Sequence, residues 1–305
     1  MRILLVTLLA SNLLAPAQRA AQPFCLVSKE VERTVEVPPA VARELLRTTR
    51  SYRGRCALYG TARPLGAGSM RTYVQAEPMT VGVTFPASTL KQLPQAMSDG
   101  RVCFDANGDG RIDRESECAV GHARELDLPR SGTPYKWVLA NWNPMGHLPV
   151  GVYNVPHFDF HFYLVPPIER NAIRPGPCPI MTNCDDYARA KVPVPPRYSH
   201  PDFADVDAVE PAMGNHLIDL AAPEFHGRAF THTWIYGAYG GAVTFHETMI
   251  TKAWFESRRD TCAAIKLPRA WKSAGWYPTS YCIEYRDNRD DYTVSLTGFV
   301  HRDAS

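Results

Sequence analysis

Short β-rich runs, broken at close intervals by proline and glycine, dominate this chain and predict strands rather than long helices. Met79 to Phe85 is one such run and ends at Pro86, after which Ser88 to Leu93 suits a helical turn. Lys136 to Ala140 and Phe158 to Val165 are two more. Phe230 to Thr251 reads as a hairpin, with Gly240-Gly241 as a two-residue turn free to take positive φ. That turn would set Tyr236 opposite Phe245, Trp234 opposite Glu247 and His232 opposite Met249. Thr233, Ile235, Thr244, His246 and Thr248 would then share a more solvent-tolerant face. Helical patterns are few. Pro38 to Ser51 has prolines at its start and Val41, Leu45 and Leu46 on one face, and Pro166 to Ile173 suits a short helix beginning at proline.

The expected fold is mainly β, an antiparallel sandwich or barrel with a cupin-like arrangement among the options, a few short helices and long irregular loops. The 26 prolines and 20 glycines of the 305 residues fit it. The chain divides into a targeting segment over 1–17, an N-terminal segment over 18–64, a β-rich core over 65–255 and a C-terminal segment over 256–305. Within the core, the proline-dense stretch 174–212 reads as an irregular excursion without regular structure.

Arg2, the apolar run Ile3 to Leu14 and the small-x-small Ala15-Pro16-Ala17 have the form of a cleaved signal peptide. No stretch is long enough for a membrane-spanning helix, so release to the periplasm or the outside is expected, with no membrane anchor. A formal net charge of +2 with mixed signs offers no basic stripe for nucleic acid. The eight cysteines, Cys25, Cys56, Cys103, Cys118, Cys178, Cys184, Cys262 and Cys282, agree with an oxidising compartment. Their spacing suggests the neighbouring pairs 25–56, 103–118, 178–184 and 262–282. The rival, a thiolate metal site, finds no Cys-x-x-Cys pair.

Asp105, Asn107, Asp109, Gly110, Arg111 and Asp113 match the start of an EF-hand-type calcium loop. Side-chain oxygens stand at the first, third and fifth positions, Gly110 permits the sharp turn, the Arg111 carbonyl follows, and Asp113 is ninth. Ser116 replaces the bidentate glutamate at the twelfth position, and Cys103 and Cys118 bracket the segment. The expectation is a disulfide-closed structural calcium loop on a β scaffold. An Asx-rich turn without metal is the alternative.

The densest chemistry lies in Pro156-His157-Phe158-Asp159-Phe160-His161-Phe162-Tyr163. Strict alternation is a strand period, so His157, Asp159 and His161 share one face and the phenylalanines the other. Two imidazoles and a carboxylate suit zinc, manganese, iron or copper. At a rise of about 3.3 Å per residue, Asp159 can share an ion with one neighbouring histidine, whereas both histidines on one ion would overstretch. Remaining ligands must come from elsewhere, and His216, Glu247 and His147 are the candidates. A proton-sharing His-Asp-His network competes with the metal. His122, His200, His226, His246 and His301 are read as ordinary hydrogen-bonded or surface residues.

Pro156 to Tyr163, Met213 to Asp219 and Pro223 to Thr251, with Ser69 to Pro94, resemble a secreted bacterial family catalogued as a domain of unknown function, which includes an oligomeric, stress-regulated thermophile protein. The resemblance implies metal-ligand candidacy for His157, His161, His216 and Glu247, and a homo-oligomer. The longer cysteine-bearing excursion before His216, and Thr248 where the family has proline, depart from its pattern.

Three functions fit these readings. A non-catalytic metal-binding envelope protein predicts a saturated site closed to water. A cupin-like metalloenzyme (hydrolase, lyase or oxidoreductase) predicts a pocket reaching the ion, with Glu247 free for acid/base work. An interaction protein with a pH-sensitive histidine row predicts no metal. No G-x-S-x-G elbow, H-E-x-x-H, phosphate-binding glycine loop or dinucleotide fingerprint is present.

Overall fold

The computed structural model describes residues 20–29 and 31–305. The segment 1–17, expected from the sequence to be a signal peptide, lies outside the described residues. The chain forms two compact units that divide between Cys56 and Ala57.

In the first unit, Gln22–Ser28 runs between Val31–Val37 and Tyr52–Arg53 in an antiparallel sheet. The helix Pro39–Thr48 follows Pro38, whose extended backbone suits the position before the first turn. Its packed face is Ala42 with Leu45 and Leu46, against Phe24 and Val37, and the expected Val41 points outward. The 42/45/46 spacing is the i, i+3, i+4 stripe of a helix. The Cys25–Cys56 disulfide closes this unit.

The second unit is an antiparallel sandwich with a few short helices. One seven-stranded sheet runs in the order Phe203–Glu210, Gly214–Asp219, His232–Tyr239, Ala242–Thr251, His157–Tyr163, Trp137–Asn143, His122–Asp127. The other contains Thr261–Ala264, Ser280–Arg286, Asp291–Thr297, Met79–Pro86, Gly68–Ala76 and Leu58–Tyr59, with Arg63–Leu65 also pairing Gly68–Ala76. Each sheet ends in strands paired on one side only, which makes a sandwich of the two expected options. The segment 256–305 supplies three strands of the second sheet, because Asp291–Thr297 pairs with Met79–Pro86. It is part of the sandwich.

Alternation builds the interface between the sheets. Phe158, Phe160 and Phe162 are fully buried, and Phe85 from the opposite sheet stacks on Phe158 and Phe160 at 6.2 and 6.3 Å. Such ring pairs add about 0.5–1.5 kcal/mol each beyond their buried area. The phenylalanine face is thus committed to the core. The histidine face of the same strand must point to the other side of its sheet.

Two expectations are corrected. The stretch 174–212 is not irregular throughout, since it carries the helix Cys184–Ala190 and the strand Phe203–Glu210. Asn183 caps that helix by accepting from Asp185 and Asp186 N–H, and the two aspartates favour its positive end. Apolar Ala204, Val206 and Ala208 alternate with Asp205 and Asp207 within the edge strand. The second correction concerns the hairpin. Gly240 and Gly241 form its turn at φ of 59° and 75°, but a bulge at Gly237/Ala238 shifts the register. Tyr236 therefore faces His246, and Glu247 faces Ile235 rather than Trp234.

The eight cysteines form the four disulfides expected from their spacing: Cys25–Cys56, Cys103–Cys118, Cys178–Cys184 and Cys262–Cys282. No described cysteine is free. Four disulfides fit an oxidising extracellular or periplasmic compartment. Among the described residues no helix is long and apolar enough to cross a membrane.

Candidate metal centre

The histidine face of His157–Tyr163 opens onto a cavity of about 70 Å³. Antiparallel pairing places His161 directly opposite Glu247. The next strands along the sheet bring His216, on Gly214–Asp219. His161, His216 and Glu247 each contribute one donor atom to a group within 4.8 Å. His161 Nε2 lies 3.4 Å from Glu247 Oε1, and His216 Nε2 lies 3.8 Å from Glu247 Oε2.

A second group forms one repeat along the strand. His157, Asp159 and His147 also place donor atoms within 4.8 Å of one another. His157 Nε2 is 3.1 Å from Asp159 Oδ1, and His147 Nε2 is 3.5 Å from Asp159 Oδ2. The expected site residues are therefore brought together, but as two sets. Asp159 keeps His157, while His161 joins the later ligands. The strand rise that separates alternate residues by about 7 Å enforces this division.

All four imidazoles are oriented in the same way. The Nδ1–H of His157 donates to Val155 O at 2.7 Å, that of His147 to Leu148 O at 2.8 Å, that of His216 to Ala208 O at 3.1 Å and that of His161 to Leu139 O at 3.4 Å. A carbonyl only accepts, so these contacts place the proton on Nδ1 and leave the Nε2 lone pair facing the carboxylate. This is the arrangement by which metal-ligating histidines are fixed. Donor atoms about 2.0–2.1 Å from a tetrahedral ion stand roughly 3.4 Å apart. The spacings here are of that size.

Electrostatics distinguish the two sets. Burial pushes Glu247 well above the usual carboxylate range, with Asp159 and Glu210 adding to the effect. Burial also lowers His161 to about 3 and His216 to about 4, so both imidazoles are neutral at neutral pH. In the other set burial raises Asp159, but facing His157 and His147 outweigh it and hold its carboxyl well below the usual range. Burial lowers His147, and the facing Asp159 carboxylate outweighs that and raises it. Asn143 Nδ2 donates to Asp159 Oδ2 at 2.6 Å.

Sequence reasoning missed Glu210, which lies on the strand inside the supposed irregular stretch and lines the same cavity. Burial pushes its carboxyl to about 7. The available signal was the shorter alternation of Ala204 to Ala208, hidden by the surrounding prolines. The rest of the cavity is largely apolar, with Tyr153, Met213, Ile235 and Met249 among its walls.

His246 points to the other side of the sheet, into the sandwich core. It is 6 % exposed, not on a solvent-tolerant face, and its Nδ1 is hydrogen-bonded with Tyr135 Oη at 2.5 Å. His122 is likewise buried, on Ala96 O at 2.7 Å. Both are hydrogen-bonded core residues.

In the Asp105–Asp113 loop, the carboxylates accept backbone N–H groups. Asp105 takes those of Gly108 and Gly110 at 2.7 and 2.8 Å, Asn107 that of Asp109, and Asp109 that of Arg111. Ser116 donates to Asp113, and the inward-turned residue is Glu117, which is 4 % exposed and accepts from Ala106, Asn107 and Asp113 N–H.

No family model matches the chain, and no curated protein or solved structure does.

Proposed function

We propose that this is an exported protein that binds a divalent transition metal through His161, His216 and Glu247, with the ion facing the cavity. One observation carries the reading: two buried Nε2 lone pairs, each fixed by an Nδ1–H to carbonyl bond, converge on one buried carboxylate. Glu247 Oε2 has no hydrogen-bond partner although it is buried. An ion supplies the charge that this carboxylate otherwise needs from a proton. Two imidazoles and one carboxylate are the set found in open-site zinc and non-haem iron centres, where solvent or substrate completes the coordination.

The cavity favours a second reading, a metal-dependent enzyme. Three protein ligands leave a coordination position that the cavity can reach, and Glu210 is a carboxyl within it available for acid/base work. The Asp105–Asp113 loop completes the proposal as a structural calcium site closed by Cys103–Cys118. Membership of the resembling secreted family, with its homo-oligomeric state, is proposed on the same His/Asp, Gly/His and Glu/Met segments.

The test is elemental analysis of the purified mature protein beside His161→Ala. The variant should lose the ion held by this set, and so bind less metal per chain, while keeping its disulfides and far-UV spectrum. Equal metal in both proteins would end the proposal.

A further inference from the structure

We propose that His147, His157 and Asp159 form a second, separate divalent-metal site, so that two ions face one cavity. This deepens the reading of His161, His216 and Glu247 as the first site, but it stands on its own residues.

The carrying observation is a buried clash of acceptors. His157 is 0 % exposed and Asp159 is 3 % exposed, and their facing atoms, Nε2 and Oδ1, are 3.1 Å apart. Neither atom has a hydrogen-bond partner. His157 has already given its Nδ1–H to Val155 O. A lone pair facing a carboxylate oxygen in a dry site is unfavourable unless a cation or a second ring proton joins them. An ion accepts from both.

The surroundings hold this geometry. His147 comes from a loop folded back on the start of the histidine strand, with His147 N–H donating to Tyr153 O at 3.2 Å. Gly146 makes that approach possible. Its φ is +69°, and a Cβ there would stand 2.1 Å from Tyr153 O and 2.5 Å from Val155 N. The imidazoles of His147 and His157 meet edge-on with centroids 4.6 Å apart, so their edges converge while their rings do not stack. Asn143 fixes the second Asp159 oxygen. Tether, glycine and amide position the donors as supporting residues do around a ligated ion.

The two sites do not share a carboxylate. Asp159 serves one and Glu247 the other, and alternate residues on a strand are about 7 Å apart. This differs from bridged two-metal centres, whose ions lie about 3.5–4 Å apart. Each site is a two-histidine, one-carboxylate set with its own open position.

Stripped protein is dialysed against zinc in the presence of excess calcium, which keeps hard oxygen loops occupied, and bound zinc is counted per chain. The wild type should hold two ions. His147→Ala, Asp159→Asn and Glu247→Gln should each hold one, and Asp159→Asn with Glu247→Gln none. His147 lies outside the strands, so its removal leaves the sheet hydrogen bonds in place and guards against a folding artefact. A single ion lost in Glu247→Gln and kept in both His147→Ala and Asp159→Asn would overturn the second site and leave the first. A single ion with the opposite pattern would uphold this site and overturn the first. No zinc in the wild type would overturn both, leaving a proton shared among His147, His157 and Asp159.

Discussion

His161 and Glu247 stand directly opposite each other on neighbouring strands, with Nε2 and Oε1 3.4 Å apart and both side chains nearly sealed from solvent. Cross-strand neighbours of this kind are fixed by backbone hydrogen bonds rather than by their own attraction. The pair is therefore held whether or not an ion is present.

Proton release follows from that arrangement. Without metal, burial favours the protonated form of Glu247, while His161 and His216, lowered to about 3 and 4, carry no extra proton at neutral pH. An ion competes with the proton that burial favours on Glu247, so affinity should rise with pH. Calorimetry of zinc binding to His147→Ala, in buffers of different ionisation enthalpy, should show about one proton released per ion. Heats that do not depend on the buffer would contradict this.

Gly237 lies beneath Phe245, the ring packed against both histidines of that site. A Cβ there would lie 2.0 Å from the ring of Phe245, which is fully buried and sits 5.0 and 5.2 Å from the His161 and His216 rings. Gly237→Ala must displace that ring, and overpacking of this kind costs roughly 1–3 kcal/mol. Denaturant unfolding should show the loss, and the variant's zinc affinity should fall with it. Unchanged affinity would mean that Phe245 does not position the imidazoles.

A separate effect is expected at Tyr135–His246. Burial lowers His246 to about 3 from 6.5, so between those values the unfolded chain binds a proton that the folded one does not. Its contribution to stability is complete above about pH 6.5 and is lost as pH falls toward 3. His246→Phe should flatten this part of the pH–stability curve. At neutral pH it should cost roughly 1–3 kcal/mol by stranding the Tyr135 hydroxyl, and adding Tyr135→Phe should recover most of that loss. Urea titrations at several pH values would decide it.

The Cys103–Cys118 bridge closes a loop with a sequence separation of 15. Its removal by paired serine substitution should cost about 3 kcal/mol if the unfolded state is the main site of action. Calcium should raise the melting temperature of the bridged protein and leave Asp109→Ala unchanged. Identical calcium responses in the two would remove the calcium proposal.

The sandwich and the donor face were legible because both rest on alternation. His157, Asp159 and His161 could be placed on one face, and distance argued against both histidines sharing an ion unless a bulge or strong twist intervened. The partners of each were harder to see. A bulge at Gly237/Ala238 slips the hairpin by one residue, which moved Glu247 from Trp234 to Ile235 and turned His246 into the core. Nothing local in Tyr236-Gly237-Ala238 announces a bulge, because its stabilisation comes from the packing of Phe245 over the glycine. Glu210 was hidden for the opposite reason. Prolines at 193, 195, 196, 201 and 211 are strong local signals, and they masked an eight-residue edge strand lying between the last two.

The segment from His157 to Phe162 gives its odd positions to polar donors and its even ones to aromatic packing, with no residue spare. Inserting or deleting a single amino acid there would exchange the two sets at once, driving imidazoles against Phe85 of the opposite sheet and aromatic rings into the cavity. Changes of chain length in this protein should therefore collect in its loops and spare this one strand.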